Sequence, residues 1–280
     1  MESTDGLQRF IFEHAEIRGE IARLEEVYQQ ITEQRPYPPA VKKLLGEALV
    51  SCLLLVGSMK FEGELSLQFQ GNQDLPLMIV QCDHHLNIRG FAKFKEALNS
   101  EDYQRAFLGG QMTLTISQLR QADTYQSVVS IHSLSMAENL MNFFALSEQV
   151  STLIVMASDN KKVVGMLLQL LPEQDNFQKE EFWQYAITLG QTITENELLQ
   201  LSNQTILHRL YHETDIRLMI EKESRFQCRC TPEKMKNVLK VLGADDVKLL
   251  LEQHGRVDVS CDFCNQHYYF DSIDIELIFR

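Results

Sequence analysis

Cys228-Arg229-Cys230 and Cys261-Asp262-Phe263-Cys264 hold four of the six cysteines of this 280-residue chain. The two clips stand thirty residues apart. Thiolates are the soft ligands that zinc takes in a closed tetrahedron, and two short clips supply four of them with little loop-closure entropy left to overcome. The spacing therefore points to one zinc ion held by Cys228, Cys230, Cys261 and Cys264. The CxxC is an ordinary zinc knuckle, whereas the CxC is one residue tighter. Four protein ligands leave no open coordination position, which speaks against hydrolytic zinc and against an enzyme. Each thiolate is also a reductant. Two readings stay open on this ground: a metal that only folds its module, and a metal that guards a redox switch.

Other residues of the right type are less well placed. Cys52 falls in an apolar helix and Cys82 at a strand end, so both read as small core residues. His254 and His267 lie near the clips, but with four thiolates present they read as surface or supporting groups. The adjacent pair His84-His85 reads as a loop feature. His208 and His212 have the spacing of a helical metal pair, yet Arg209 stands where a zinc protease would carry its glutamate. Gly109-Gly110 reads as a turn or bulge, and neither a phosphate loop nor a G-x-S-x-G elbow occurs.

The elements that must position the thiols come next. Hydrophobic residues make up 44% and charged residues 23%, an ordinary balance for a globular protein with more than one domain. The net charge is −13 without a basic block, a field that repels phosphate and argues against nucleic acid. Met1 to Arg9 is too polar for a signal peptide, and Ala48 to Val56 is too short to span a bilayer. With cysteines at metal spacing, this points to a reducing cytoplasm.

Residues 1–172 read as an antiparallel α+β domain. Helical spacing of Ile17, Ile21, Leu24, Val27, Tyr28 and Ile31 predicts a charged helix from Ala15 to Thr32. Pro36, Pro38 and Pro39 break it, and an apolar helix follows from Ala40 to Met59. Leu65, Leu67 and Phe69 alternate with polar residues as in a half-buried strand. Further strands are expected at Pro76–Cys82, Asn87–Phe94, Gln111–Ser117 and Tyr125–Ile131, a helix at Met136–Ser147, and a hairpin around Ser158-Asp159-Asn160. In residues 173–224 strand patterns give way to helix formers with scattered large apolar groups, the pattern of a helical linker with marginal stability of its own. Residues 225–280 form the small zinc-binding domain. Thr231-Pro232-Glu233 starts a helix ending near Gly243, a second runs from Asp245 to His254, and two strands and a short helix from Asp271 complete it. So small a core leaves zinc to supply much of the folding free energy.

Taken in order, these features resemble the redox-regulated 33-kDa heat shock protein family, also called the 33 kDa chaperonin, over essentially the whole chain. The specific part is Phe226-Gln227-Cys228-Arg229-Cys230 with the distant Cys261-Asp262-Phe263-Cys264. Arg18-Gly19-Glu20, Lys60-Phe61-Glu62-Gly63, Met166-Leu167-Leu168-Gln169 ending at Pro172, Arg209-Leu210-Tyr211-His212-Glu213 and Tyr269-Phe270 add weaker matches. The resemblance implies an ATP-independent holdase that is idle when reduced and zinc-bound. It implies that oxidation pairs Cys261 with Cys264 first and Cys228 with Cys230 second, releases zinc and loosens the linker. Unfolding proteins are the implied partners, with a homodimer when oxidised. A zinc-ribbon interaction module and a thiol–disulfide oxidoreductase using Cys261 and Cys264 are the competing expectations.

Overall fold

The computed structural model describes residues 4–95, 105–119, 124–171 and 177–280. The most apolar stretch of the chain becomes its centre. Helix α2 (Pro39–Ser58) starts with proline in its first turn and is buried without a break from Ala48 to Ser58. A helix apolar all round must be covered on every side, and here two sheets and two further helices cover it. One sheet has the order β10-β1-β2-β9-β8, with β11 also paired to β1; the other runs β12-β5-β4-β3-β6-β7.

The second sheet follows the alternation in the sequence. It is built of β3 (Gly63–Gln70), β4 (Leu77–Asp83), β5 (Asn87–Lys93), β6 (Gln111–Gln118) and β7 (Thr124–Ser130). All of these pair antiparallel, with Leu65 opposite Cys82 and Leu67 opposite Val80; only the two-residue β12 (Arg225–Phe226) joins β5 in parallel. Cys52 and Cys82 are both fully buried in the core shared with α2. Helix α3 (Met136–Phe143) continues into a π-helical turn, Phe144–Glu148. The expected hairpin joins β8 (Thr152–Ser158) to β9 (Val163–Leu170), its turn tied by the Asp159 carboxylate accepting from the amides of Lys161 and Lys162 at 2.7 and 2.8 Å.

The charged helix expected from Ala15 is corrected by the structure. Its first half is strand β2 (Ile17–Leu24), paired with a strand the sequence reading did not place, β1 (Gly6–Phe12), and only α1 (Glu26–Thr32) is helical. Positions four apart share a strand face as well as a helix face, so Ile17 and Ile21 satisfy both patterns. Both faces of β2 are covered: Ile17 and Ile21 join one core, Ala22 and Leu24 the other. A strand buried twice loses its period-two signal.

After residue 176 come α4 (Phe177–Gly190), α5 (Glu195–Gln200) and α6 (Asn203–Tyr211). Their apolar groups, Trp183, Ala186, Leu198, Ile206, Leu207 and Tyr211 among them, pack on Phe10, Phe12, Ile17, Ile21, Val164 and Leu168 of the first sheet. The expectation that strands vanish here fails at its end, where β10 (Ile216–Leu218) and β11 (Lys222–Glu223) lie along β1. Three-residue and two-residue ladders leave no period to read.

The chain divides into compact units at Met1–Phe226 and Gln227–Arg280. The second unit follows the sequence closely. Helix α7 (Pro232–Leu242) is capped by the Thr231 hydroxyl, α8 (Ala244–His254) stops at a left-handed Gly255, and β13 (Val257–Ser260) pairs with β14 (His267–Phe270). Asp271 caps α9 (Ser272–Ile278) with a capping box. Its buried core consists of Met235, Leu239, Val247, Val257, Phe270, Ile275 and Ile278.

Candidate metal centre

Cys228 and Cys230 lie in the non-helical backbone before α7, and Cys261 and Cys264 in the turn joining β13 to β14. That turn is tight. The Cys261 amide donates to the Gln266 carbonyl and the Asn265 amide to the Cys261 carbonyl, each at 2.9 Å, with Asn265 in the left-handed region at φ 52°. Asparagine tolerates that conformation better than most side chains. Folding the chain back this way aims amides at sulfur: those of Phe263 and Cys264 at Cys261, and that of Gln266 at Cys264.

The four Sγ atoms lie within 4.8 Å of one another, and the cysteines are free thiols. Cys228 and Cys261 are 3.7 Å apart, Cys230 and Cys264 3.3 Å. Zinc–sulfur bonds of about 2.3 Å in a tetrahedron place sulfurs about 3.8 Å apart, so the set has the right size and donor type for one metal ion. The Tyr268 hydroxyl donates to Cys230 Sγ at 3.1 Å from β14. Burial pushes the Cys261 and Cys264 thiols up, and their thiol neighbours push them further. At Cys230 burial also pushes up, but hydrogen bonds from Tyr268 and the other thiols outweigh it and the net direction is down. Four sulfurs so crowded repel one another once ionised, and a divalent cation is what relieves that repulsion.

Among the described residues this is the one cluster of His, Cys, Asp and Glu side chains placed to hold a metal. His267 sits on β14 but turns to Asp258, its Nδ1 2.9 Å from a carboxylate oxygen. His208 and His212 have ring centres 6.1 Å apart at the end of α6.

Of the weaker sequence matches, Arg18-Gly19-Glu20 and Gln169 lie where strands β2 and β9 meet the end of α2. Arg18 donates to the last turn of α2 at Ser58 O, 2.7 Å away, and to Gln169 Oε1. Arg9 does the same at Gly57 O, and its Nε lies 3.3 Å from Glu20. Two guanidinium groups thus satisfy carbonyls that a helix end leaves open. The ring of Phe10 lies over Gly19, leaving no room for a Cβ. Sequence reasoning passed over Arg9, whose partners lie far along the chain.

Comparison with known proteins agrees with this arrangement. A family model described as Hsp33 protein matches residues 5–271. The chain belongs to the Hsp33 family. It is 38% identical over 285 residues to the 33 kDa chaperonin of Pseudomonas savastanoi pv. phaseolicola, covering 100% of this chain and 95% of that protein. To the 33 kDa chaperonin of Pseudomonas syringae pv. syringae it is 39% identical over 281 residues, covering 98% and 93%. The crystal structure of the 33 kDa chaperonin from Thermotoga maritima, 22% identical, superposes with a TM-score of 0.82 over 98% of this chain and 97% of that one. That likeness shows a shared fold. As an Hsp33 protein the chain is a chaperone, and chaperones bind client proteins. No helix among the described residues is long and apolar enough to cross a membrane.

Proposed function

We propose that this protein is a redox-regulated, ATP-independent holdase whose off state is a zinc ion held by Cys228, Cys230, Cys261 and Cys264. The observation that carries the reading is the convergence of four free thiols in a unit with a core of only seven buried apolar residues. Such a unit draws much of its stability from its metal, worth about 10–16 kcal/mol in small zinc modules. When bound, zinc supplies a cross-link between the two clips and holds the thiols ionised.

The chemistry belongs to the thiolates. Cys261 and Cys264 surrender two electrons to hypochlorous acid, form one S–S bond, and leave chloride and hydroxide as products; Cys228 and Cys230 then do the same. The 3.7 and 3.3 Å sulfur contacts run across the clips, but all four sulfurs are mutual neighbours, and closure within each clip spans the shortest loops. Disulfides in such short loops constrain the chain far less than the zinc cross-link does. The small unit then unfolds, residues 173–224 lose order, and apolar surface becomes available to unfolding proteins in the cytoplasm; the oxidised form pairs as a homodimer. Disorder is the active state.

Light scattering of a chemically unfolded client tests this. Suppression of aggregation without ATP is expected from the hypochlorite-treated protein and not from the reduced, zinc-loaded one. Equal failure of both forms would sink the reading and leave a purely structural metal.

A further inference from the structure

The strap that follows α6 fits its sheet poorly. It pairs with β1 in two pieces: Ile216, Arg217 and Leu218 lie opposite Phe12, Ile11 and Phe10, and Lys222 and Glu223 opposite Leu7 and Gly6. Between these pieces β1 has two residues, Gln8 and Arg9, whereas the strap has three, Met219, Ile220 and Glu221. One residue too many on one strand is a β-bulge, which breaks the ladder locally. Ile220 is turned out of it and is 93% exposed, more than any other large apolar side chain among the described residues.

The edge beneath the strap is well made. Arg9 accepts from the Met219 amide through its carbonyl at 2.8 Å, and the Glu13 amide donates to Asp215 O at 2.9 Å. Period two then turns the backbone groups of Leu7, Arg9 and Ile11 outward to the strap, and those of Gln8, Phe10 and Phe12 inward to β2. Beside the bulge opens a cleft of about 770 Å³ walled by Leu7, Val56, Phe61, Met219 and Ile220. Glu20 also lines it, and its Oε2 has no hydrogen-bond partner among the described residues.

We propose that the outer edge of β1, with this cleft beside it, is the surface that takes up client: an extended apolar segment of an unfolding protein adds as an antiparallel strand in place of residues 216–223. The inference rests on the holdase reading and names the surface that reading leaves open. The strap is the template for the occupant. Its Ile216 and Leu218 pack on the core of Phe10, Phe12 and Tyr211, so a replacement needs apolar groups at alternate positions. Strand addition draws its affinity from main-chain hydrogen bonds, which suits clients that share no sequence. A segment without the extra residue pairs with all of β1, which the strap cannot do. The strap ends the stretch 173–224 and leaves with it when that stretch loses order.

Hydrogen exchange on the full chain tests the surface, with reduced, carboxymethylated α-lactalbumin as a permanently unfolded client. In the oxidised protein the outward amides of Leu7, Arg9 and Ile11 are expected to exchange at least about tenfold more slowly with client bound, while β8 is unchanged. Deleting Ile220 lets the strap pair without a bulge, and the oxidised deletion variant is expected to bind client about tenfold more weakly. A complex in which these amides exchange as in the free oxidised protein would place the client elsewhere and leave the holdase reading intact. So would a deletion variant that binds as tightly as the parent chain. If the oxidised protein forms no complex at all, both ideas fall.

Discussion

Tyr268 touches the thiol cluster with its side chain from outside the four cysteines. Its hydroxyl reaches Cys230 Sγ at 3.1 Å, and that contact raises its own pKa above the usual phenol range. A donor of this kind stabilises negative charge on sulfur and fixes the rotamer of the side chain that carries it. Tyr268→Phe keeps the ring and removes only the donor. Competition with a chromogenic chelator should show zinc affinity lowered by about 10-fold, the lower end of what supporting hydrogen bonds contribute to metal sites. An unchanged affinity would mean that the hydroxyl follows the sulfur and does not hold it. Thiol spacing was visible in the sequence because a soft-metal site gathers its cysteines in short clips. Tyr268 was not visible as a partner, since tyrosine on a strand has many other uses and only the fold brings it to Cys230.

At the scale of elements, the first unit hangs on the join between β2 and the end of α2. Arg9 and Arg18 close the last carbonyls of α2, and Glu20 lies between them, buried. Burial raises the Glu20 carboxyl to about 8, against the pull of Arg9 and Arg18, from the 4.5 of an exposed glutamate. A raised acid stabilises the folded state below its unfolded pKa, and that stability drains away as pH climbs through the folded value. The window is therefore pH 4.5 to about 8. Glu20→Gln should melt with the parent chain near the acid end and at least ~3 °C above it at pH 8, the equivalent of about 1 kcal/mol. Parallel melting curves across the window would show that Glu20 stays charged in the fold. The same region is where sequence reading failed. The apolar helix α2 and the alternating β3 were legible because one pattern had one explanation. Strand β2, covered on both faces, carried no alternation, β1 sets only Gln8 and Arg9 among its apolar residues, and β10 is too short to carry any period. The start of α1 is held by Asp5, whose carboxylate accepts from the amides of Glu25, Glu26 and Val27, a cap twenty residues away that no local motif announces.

For the whole molecule, the question is how a change at four sulfurs reaches a segment of another unit. The covalent path is short. Ser224 and β12 tie the end of the first unit to β5, with the Ser224 hydroxyl donating to Leu86 O at 2.9 Å, and Cys228 follows only two residues after β12. The stretch before that tie packs its apolar groups on the first sheet. It also carries its own reporter. Trp183 is the only tryptophan of the chain, sits on α4 and is 5% exposed in the core it shares with Phe10, Phe12 and Tyr211. If oxidation loosens residues 173–224, Trp183 moves into water and its emission shifts to the red, with the same time course as zinc release followed by a chromogenic chelator. Removing zinc from the reduced protein by chelation should unfold Gln227–Arg280, which contains no tryptophan, and so separates the two events. A red shift on oxidation alone assigns the loosening of the segment to the disulfides; a shift on chelation assigns it to loss of the small unit's fold. An oxidised protein that suppresses aggregation while Trp183 stays buried would exclude loosening of α4 as the activating step.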